Sequence, residues 1–226
     1  MNRPARILGQ AADVLFVLLL FAPAAVAVQT LTVPETEALV RASYFEGMPE
    51  AAAARIGPAG AERLVEMLGD SEERQNHAQI LLALGLCGSP DAMTAILDWK
   101  VGLDAAAPTQ FAAAPPSVEI DRDRFKAWQA LPYALGHLAR FDDRAVAELE
   151  ILTDAEAPQW TFRHYTSAHL HDLARRGAAT SLALTGLPEA RRALDRAGRN
   201  LSDVRFAEHL MALRVLHAER ARERAK

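Results

Sequence analysis

The segment His164-Tyr165-Thr166-Ser167-Ala168-His169-Leu170-His171-Asp172 gathers three imidazoles, a phenol, two hydroxyls and a carboxylate. Such groups could ligate a metal ion, or pair an imidazole with a carboxylate for proton transfer. Spacing limits what they can do together. In a helix, His164 and His171 share a face but sit about 10.5 Å apart along the axis. That is too far for both to reach one zinc ion, whose bonds to nitrogen are about 2 Å long. His169 and Asp172 are three residues apart and could touch, so that the carboxylate orients the ring. No nucleophile and no further ligand lies beside them, and a metal site would need a distant residue such as His137 or His209. The sequence therefore assigns no catalytic, cofactor-binding or metal residue; a metal-binding protein or enzyme centred on His164, His169 and His171 stands as the alternative reading.

Other chemistry-bearing patterns are missing from the chain. No His-Glu-x-x-His, Gly-x-Ser-x-Gly, phosphate-binding glycine loop or Cys-x-x-Cys occurs. Ser71-Glu72-Glu73-Arg74 and Asp121-Arg122-Asp123-Arg124 place acids where long helices begin, which suits the positive end of the helix dipole. Cys87 follows the apolar run Leu81-Leu82-Ala83-Leu84-Gly85-Leu86 and is the chain's one cysteine. It cannot form an internal disulfide and reads as a small buried hydrophobe.

What must position these residues is a helical chain. The 226 residues are 50% hydrophobic, enough for a buried core, and the formal net charge of -4 gives no sign of a nucleic-acid binder. Arg3 and Arg6 precede an apolar run from Val14 to Val28. The run falls short of the roughly 20 residues of a membrane-spanning helix, and Ala25-Val26-Ala27 supplies small residues for cleavage. Residues 1–27 are expected to be a secretory signal peptide, with no transmembrane segment in the mature chain and a periplasmic or secreted destination. An uncleaved N-terminal anchor is the other reading.

From Thr30 onward Ala, Leu, Arg and Glu dominate, and no stretch alternates with the period of a strand. One helical face recurs. Apolar residues stand at Ala61, Leu64, Val65 and Leu68, then at Ala92, Ala95, Ile96 and Trp99 after a shift of 31. A shift of 53 gives Ala145, Glu148, Leu149 and Leu152, with Glu148 breaking the pattern; a further 45 gives Ala190, Ala193, Leu194 and Ala197. Longer helices precede the last three, ending in Ala83-Leu84-Gly85-Leu86-Cys87-Gly88, Ala134-Leu135-Gly136-His137-Leu138-Ala139 and Leu182-Ala183-Leu184-Thr185-Gly186. Glycine there allows a sharp turn into an antiparallel partner. Phe125, Trp128, Leu131, Leu135 and Leu138 form a stripe expected to face the core.

These segments resemble HEAT repeats, in particular the short HEAT-like repeats first described in phycobilisome lyases. The matching stretches are Gln79 to Leu97, Leu131 to Leu152 and Ser181 to Leu194, and Pro132 resembles the proline that kinks the first helix of many HEAT units. The resemblance implies an all-α, short α-solenoid of about four antiparallel helical pairs over residues 28–226, whose usual work is binding other proteins. It does not imply lyase activity. The uneven shifts require insertions: a Pro/Ala-rich loop over residues 102–120, expected to be mobile, with Phe111 as a contact point in the alternative reading, and a break over residues 153–159. A terminal helix from Asp203 to Leu216 is expected to cap the stack and fray into the charged tail.

Charge is uneven. Residues 28–159 hold 10 basic and 21 acidic residues, whereas residues 160–226 hold 13 basic and 7 acidic. The basic end could touch anionic surfaces weakly, or simply be a solvated Arg-rich face. The function expected from all this is an exported, non-catalytic scaffold that holds a protein or peptide of unknown identity, without a cofactor.

Overall fold

The computed structural model describes residues 29–45, 47–105, 118–154, 158, 160–199 and 203–226. The expected signal peptide and Phe111 lie outside these residues. Among the described residues there are ten α-helices: α1 Val33–Arg41, α2 Glu50–Ala53, α3 Pro58–Gly69, α4 His77–Cys87, α5 Ala92–Ala105, α6 Arg122–Leu138, α7 Arg144–Asp154, α8 Ser167–Thr185, α9 Pro188–Ala197 and α10 Val204–Arg224. A 3₁₀ turn, Ser71–Asn76, leads into α4. The protein is all-α in class.

Local chemistry explains the boundaries. Thr32 and Glu35 form a capping box at α1, in which each side chain satisfies a backbone N–H of the other. Asp121 caps α6 by accepting from the N–H groups of Asp123 and Arg124, at 3.0 and 2.8 Å. Pro58 and Pro188 stand in the first turns of α3 and α9, where no N–H is missed. Gly88 and Gly186 end α4 and α8 in the left-handed region, at φ 64° and 65°. Gly136 does something different from the turn expected of it. It lies inside α6, and a Cβ there would come within 3.0 Å of the Cβ of Ser181 on α8.

Packing follows sequence order. α4 lies along α6, α6 along α8, and α8 along α10. The shorter helices pack against this row: α3 on α4 and α5, α7 on α6 and α8, and α9 on α7 and α8. The four helices with the recurring face present it inward at equivalent places. Ala61, Ala92, Ala145 and Ala190 are all buried, and so are Ile96, Leu149 and Leu194. Full burial of a Leu or Ile side chain contributes about 1.5–3 kcal/mol. The α6 stripe also points inward at Phe125, Leu131, Leu135 and Leu138, while Trp128 is half-buried.

A second, smaller core is aromatic. Phe125 stacks on Phe162 at 4.0 Å, and Trp160 stands edge-on to Trp128 at 5.0 Å. It closes where the chain brings two short strands together: β1, Val118–Glu119, pairs in parallel with β2, Trp160–Thr161. A two-residue pairing carries no period that a sequence could display. Two boundaries also differ from expectation. Residues 102–105 belong to α5, so the expected insertion begins after Ala105 and its end pairs as β1. α10 continues to Arg224 rather than fraying after Leu216. Strong helix formers and the Arg220–Glu223 pair support its last turns, and its backbone at Arg220 and Ala221 lies close against Gly186.

Candidate functional site

The histidine segment does not assemble into one site. Thr166 caps α8, accepting from the N–H of His169, so the helix starts after His164 and Tyr165. His164 lies in a tight turn closed by the Tyr165 N–H donating to the Phe162 carbonyl at 2.9 Å. Arg163 takes φ 50° in that turn, and its N–H is held by Glu119 at 2.9 Å. The His164 ring stacks on Tyr165, with centroids 5.0 Å apart. The His169 ring nitrogen Nδ1 stays beside the capping hydroxyl of Thr166, at 3.1 Å. Asp172 does not orient His169. Its carboxylate accepts from Arg175 and, at 2.7 Å, from Arg176, because those guanidiniums one turn on offer charged donors.

The distant histidines are engaged elsewhere. His137 lines a polar groove of about 430 Å³ at the ends of α6, α8 and α10, with Glu50, Arg140, Thr185, Arg220 and Arg224. Burial lowers its pKa, Arg140 adds to this, and Glu50 opposes it. His209 of α10 faces α8, with Nε2 3.4 Å from the Thr180 hydroxyl, and burial lowers its pKa too. His217 is buried and donates to the Leu187 carbonyl at 2.8 Å. Among the described residues, no three His, Cys, Asp or Glu side chains group as metal ligands would. Cys87 is half-buried, with its thiol pKa raised by burial.

A groove lies elsewhere, between α6 and α8. Trp128, Gln129, Pro132 and Tyr133 follow one face of α6, and Leu173, Ala174, Gly177 and Thr180 follow one face of α8. Together with Leu152 of α7 they line an open groove of about 200 Å³. Gly177 faces the Pro132 ring, and a Cβ there would lie in ordinary contact with it at 3.4 Å. Tyr133 and Leu173 stand on its margins, 42% and 38% exposed. Pro132 lies inside α6 and brings no N–H to the carbonyl four residues earlier. Arg176 and Thr180 add polar groups at the rim. The groove thus pairs an apolar floor with a polar margin.

The sequence reading missed this groove. Tyr133 and Leu173 were legible only as large residues off the core stripes of their helices. That residues 40 positions apart would meet across two helices has no local signal.

No protein-family model matches the chain, and no curated protein or solved structure is significantly similar to it. No helix among the described residues is long and apolar enough to cross a membrane.

Proposed function

We propose that the protein is an exported, non-catalytic scaffold, a short HEAT-like α-solenoid that holds a protein or peptide segment along its α6–α8 surface. The observation that carries this reading is the groove between those helices, with half-exposed Tyr133 and Leu173 flanking an apolar floor. The solenoid part rests on the recurring helical face, buried at equivalent positions in α3, α5, α7 and α9, and on the sequential packing of α4, α6, α8 and α10. Export to the periplasm or beyond rests on the basic, then apolar, then small-residue order of residues 1–27. A weak, salt-screened contact with anionic surfaces through Arg205, Arg222 and Lys226 belongs to the same reading.

Affinity capture from the native envelope tests it. The wild-type chain is expected to retain a discrete protein that is lost when Leu173→Asp and Tyr133→Ala are combined. Retention of the same proteins by wild type and variant would contradict the assignment to this groove.

A further inference from the structure

A second cavity, of about 260 Å³, lies between the end of α3, the 3₁₀ turn, the end of α5 and the start of α6. Its polar wall is made by Arg74, Arg124 and the residue Ser71. Both guanidiniums lean on a single carboxylate, Asp121, at 3.5 and 3.7 Å, which is beyond hydrogen-bonding distance. The other oxygen of Asp121 is already occupied by the backbone of α6. One carboxylate therefore faces two positive charges, on side chains 40% and 36% exposed. Arg41, Arg63, Arg175 and Arg176 contrast with this, since each donates to carboxylates through hydrogen bonds. Among the described residues, the guanidiniums of Arg74 and Arg124 make no such bond, and both residues line the cavity.

The opposite wall is apolar, made by Leu68, Trp99 and Leu103. His77 is buried at the boundary with both ring nitrogens in use. Nε2 lies 3.1 Å from the Asp70 carbonyl and Nδ1 accepts from the Trp99 indole N–H at 3.1 Å, which fixes the ring as neutral. Gly102 also lines the cavity, and a Cβ there would meet nothing within 4 Å. Among the described residues that line the cavity, none is a carboxylate.

We propose that this cavity binds a small organic oxyanion, a carboxylate or phosphate monoester on an apolar body, with the charge on the cavity side of Arg74 and Arg124, away from Asp121, and the body against Trp99. The volume is below the ~300 Å³ lower end of pockets for drug-sized ligands, which restricts the ligand to a small one. Neither the α6–α8 groove nor a protein partner is required.

The test is calorimetric titration of the purified protein with benzoate, phenyl phosphate, inorganic phosphate and benzyl alcohol. Benzoate and phenyl phosphate are expected to bind saturably, each at least roughly tenfold tighter than inorganic phosphate or benzyl alcohol. The double variant Arg74→Gln/Arg124→Gln should weaken them roughly tenfold or more, and by less at high salt. Gly102→Leu should weaken them by adding a bulky side chain to the cavity wall, with an unchanged circular-dichroism spectrum showing that the helices remain. Equal binding of benzyl alcohol would overturn the role of the charges, and equal binding of inorganic phosphate that of the apolar wall. An absence of saturable binding at millimolar concentrations, or binding indifferent to both variants, would overturn the site.

Discussion

At the scale of single residues, Glu148 shows how the fold absorbs a broken pattern. It occupies the place that Leu64 and Ala193 hold in sister helices, and those two are fully buried. Glu148 reaches Lys100 of α5 in an ion pair whose side chains are only 26% and 12% exposed. A paired carboxylate is tolerated there; an unpaired one is not. Lys100→Met is therefore expected to destabilise the protein by about 2 kcal/mol, less than the 3–5 of a fully buried pair, while adding Glu148→Leu restores most of the loss. Denaturant midpoints of the two variants check this, and a double variant no better than the single would contradict it. His77 gives the pH dependence. Burial lowers its pKa from an ordinary value near 6.5. The unfolded chain then binds a proton that the folded chain resists, so stability is lost as pH falls below about 6.5. His137 and His209 act in the same direction. Carboxylates such as Glu37 and Glu150, lowered first by their arginine partners, lose their contribution only below about 4.5. Urea titrations at pH 7.5 and 5.5 should show the loss, and His77→Gln should shrink it; an unchanged pH dependence would contradict the role of His77.

At the scale of elements, the closest packing lies between α4 and α6, where small residues let the backbones approach. A Cβ at Gly85 would overlap the carbonyl oxygen of Ala134. Gly85→Ala is expected to cost about 1–3 kcal/mol through overpacking, although alanine favours a helix more than glycine does. At Gly102, where nothing crowds the added carbon, the same substitution should instead add about 1 kcal/mol. Thermal melts of the two variants shifting in opposite directions support this account of α4; equal shifts contradict it. The same glycines show what was legible in the sequence. Recurrence of Ala61, Ala92, Ala145 and Ala190 marked four helices because a 3.6-residue period is written along the chain. Gly88 and Gly136 looked alike there, yet one ends a helix and the other seats a neighbouring one. That difference depends on which helix lies alongside, which no local pattern records. The β1–β2 pairing and the aromatic core around Phe125 and Trp160 escaped for the same reason, since their partners lie far apart in sequence.

At the scale of the whole molecule, the charge asymmetry is partly neutralised within each region. Arg175 pairs with Asp172 and Asp203, Arg192 with Glu189, and Arg214 with Asp195. Among the described residues, Arg196–Glu150 is the ion pair that joins the basic segment to the acidic one. Exposed pairs of this kind contribute little to stability, so the helices are held by their apolar faces. The histidine segment stood out in the sequence because its chemistry is local, but helix α8 begins inside it and its acid turns to arginines. The groove between α6 and α8 did not stand out, since each half is an ordinary helix face. The central claim is that a partner lies on that groove. A photo-crosslinking residue at position 133, in cells that make the protein, tests it most directly. A discrete protein adduct is expected from position 133 and not from position 62, an exposed site on α3. The same adducts from both positions, or none from position 133, would contradict the account.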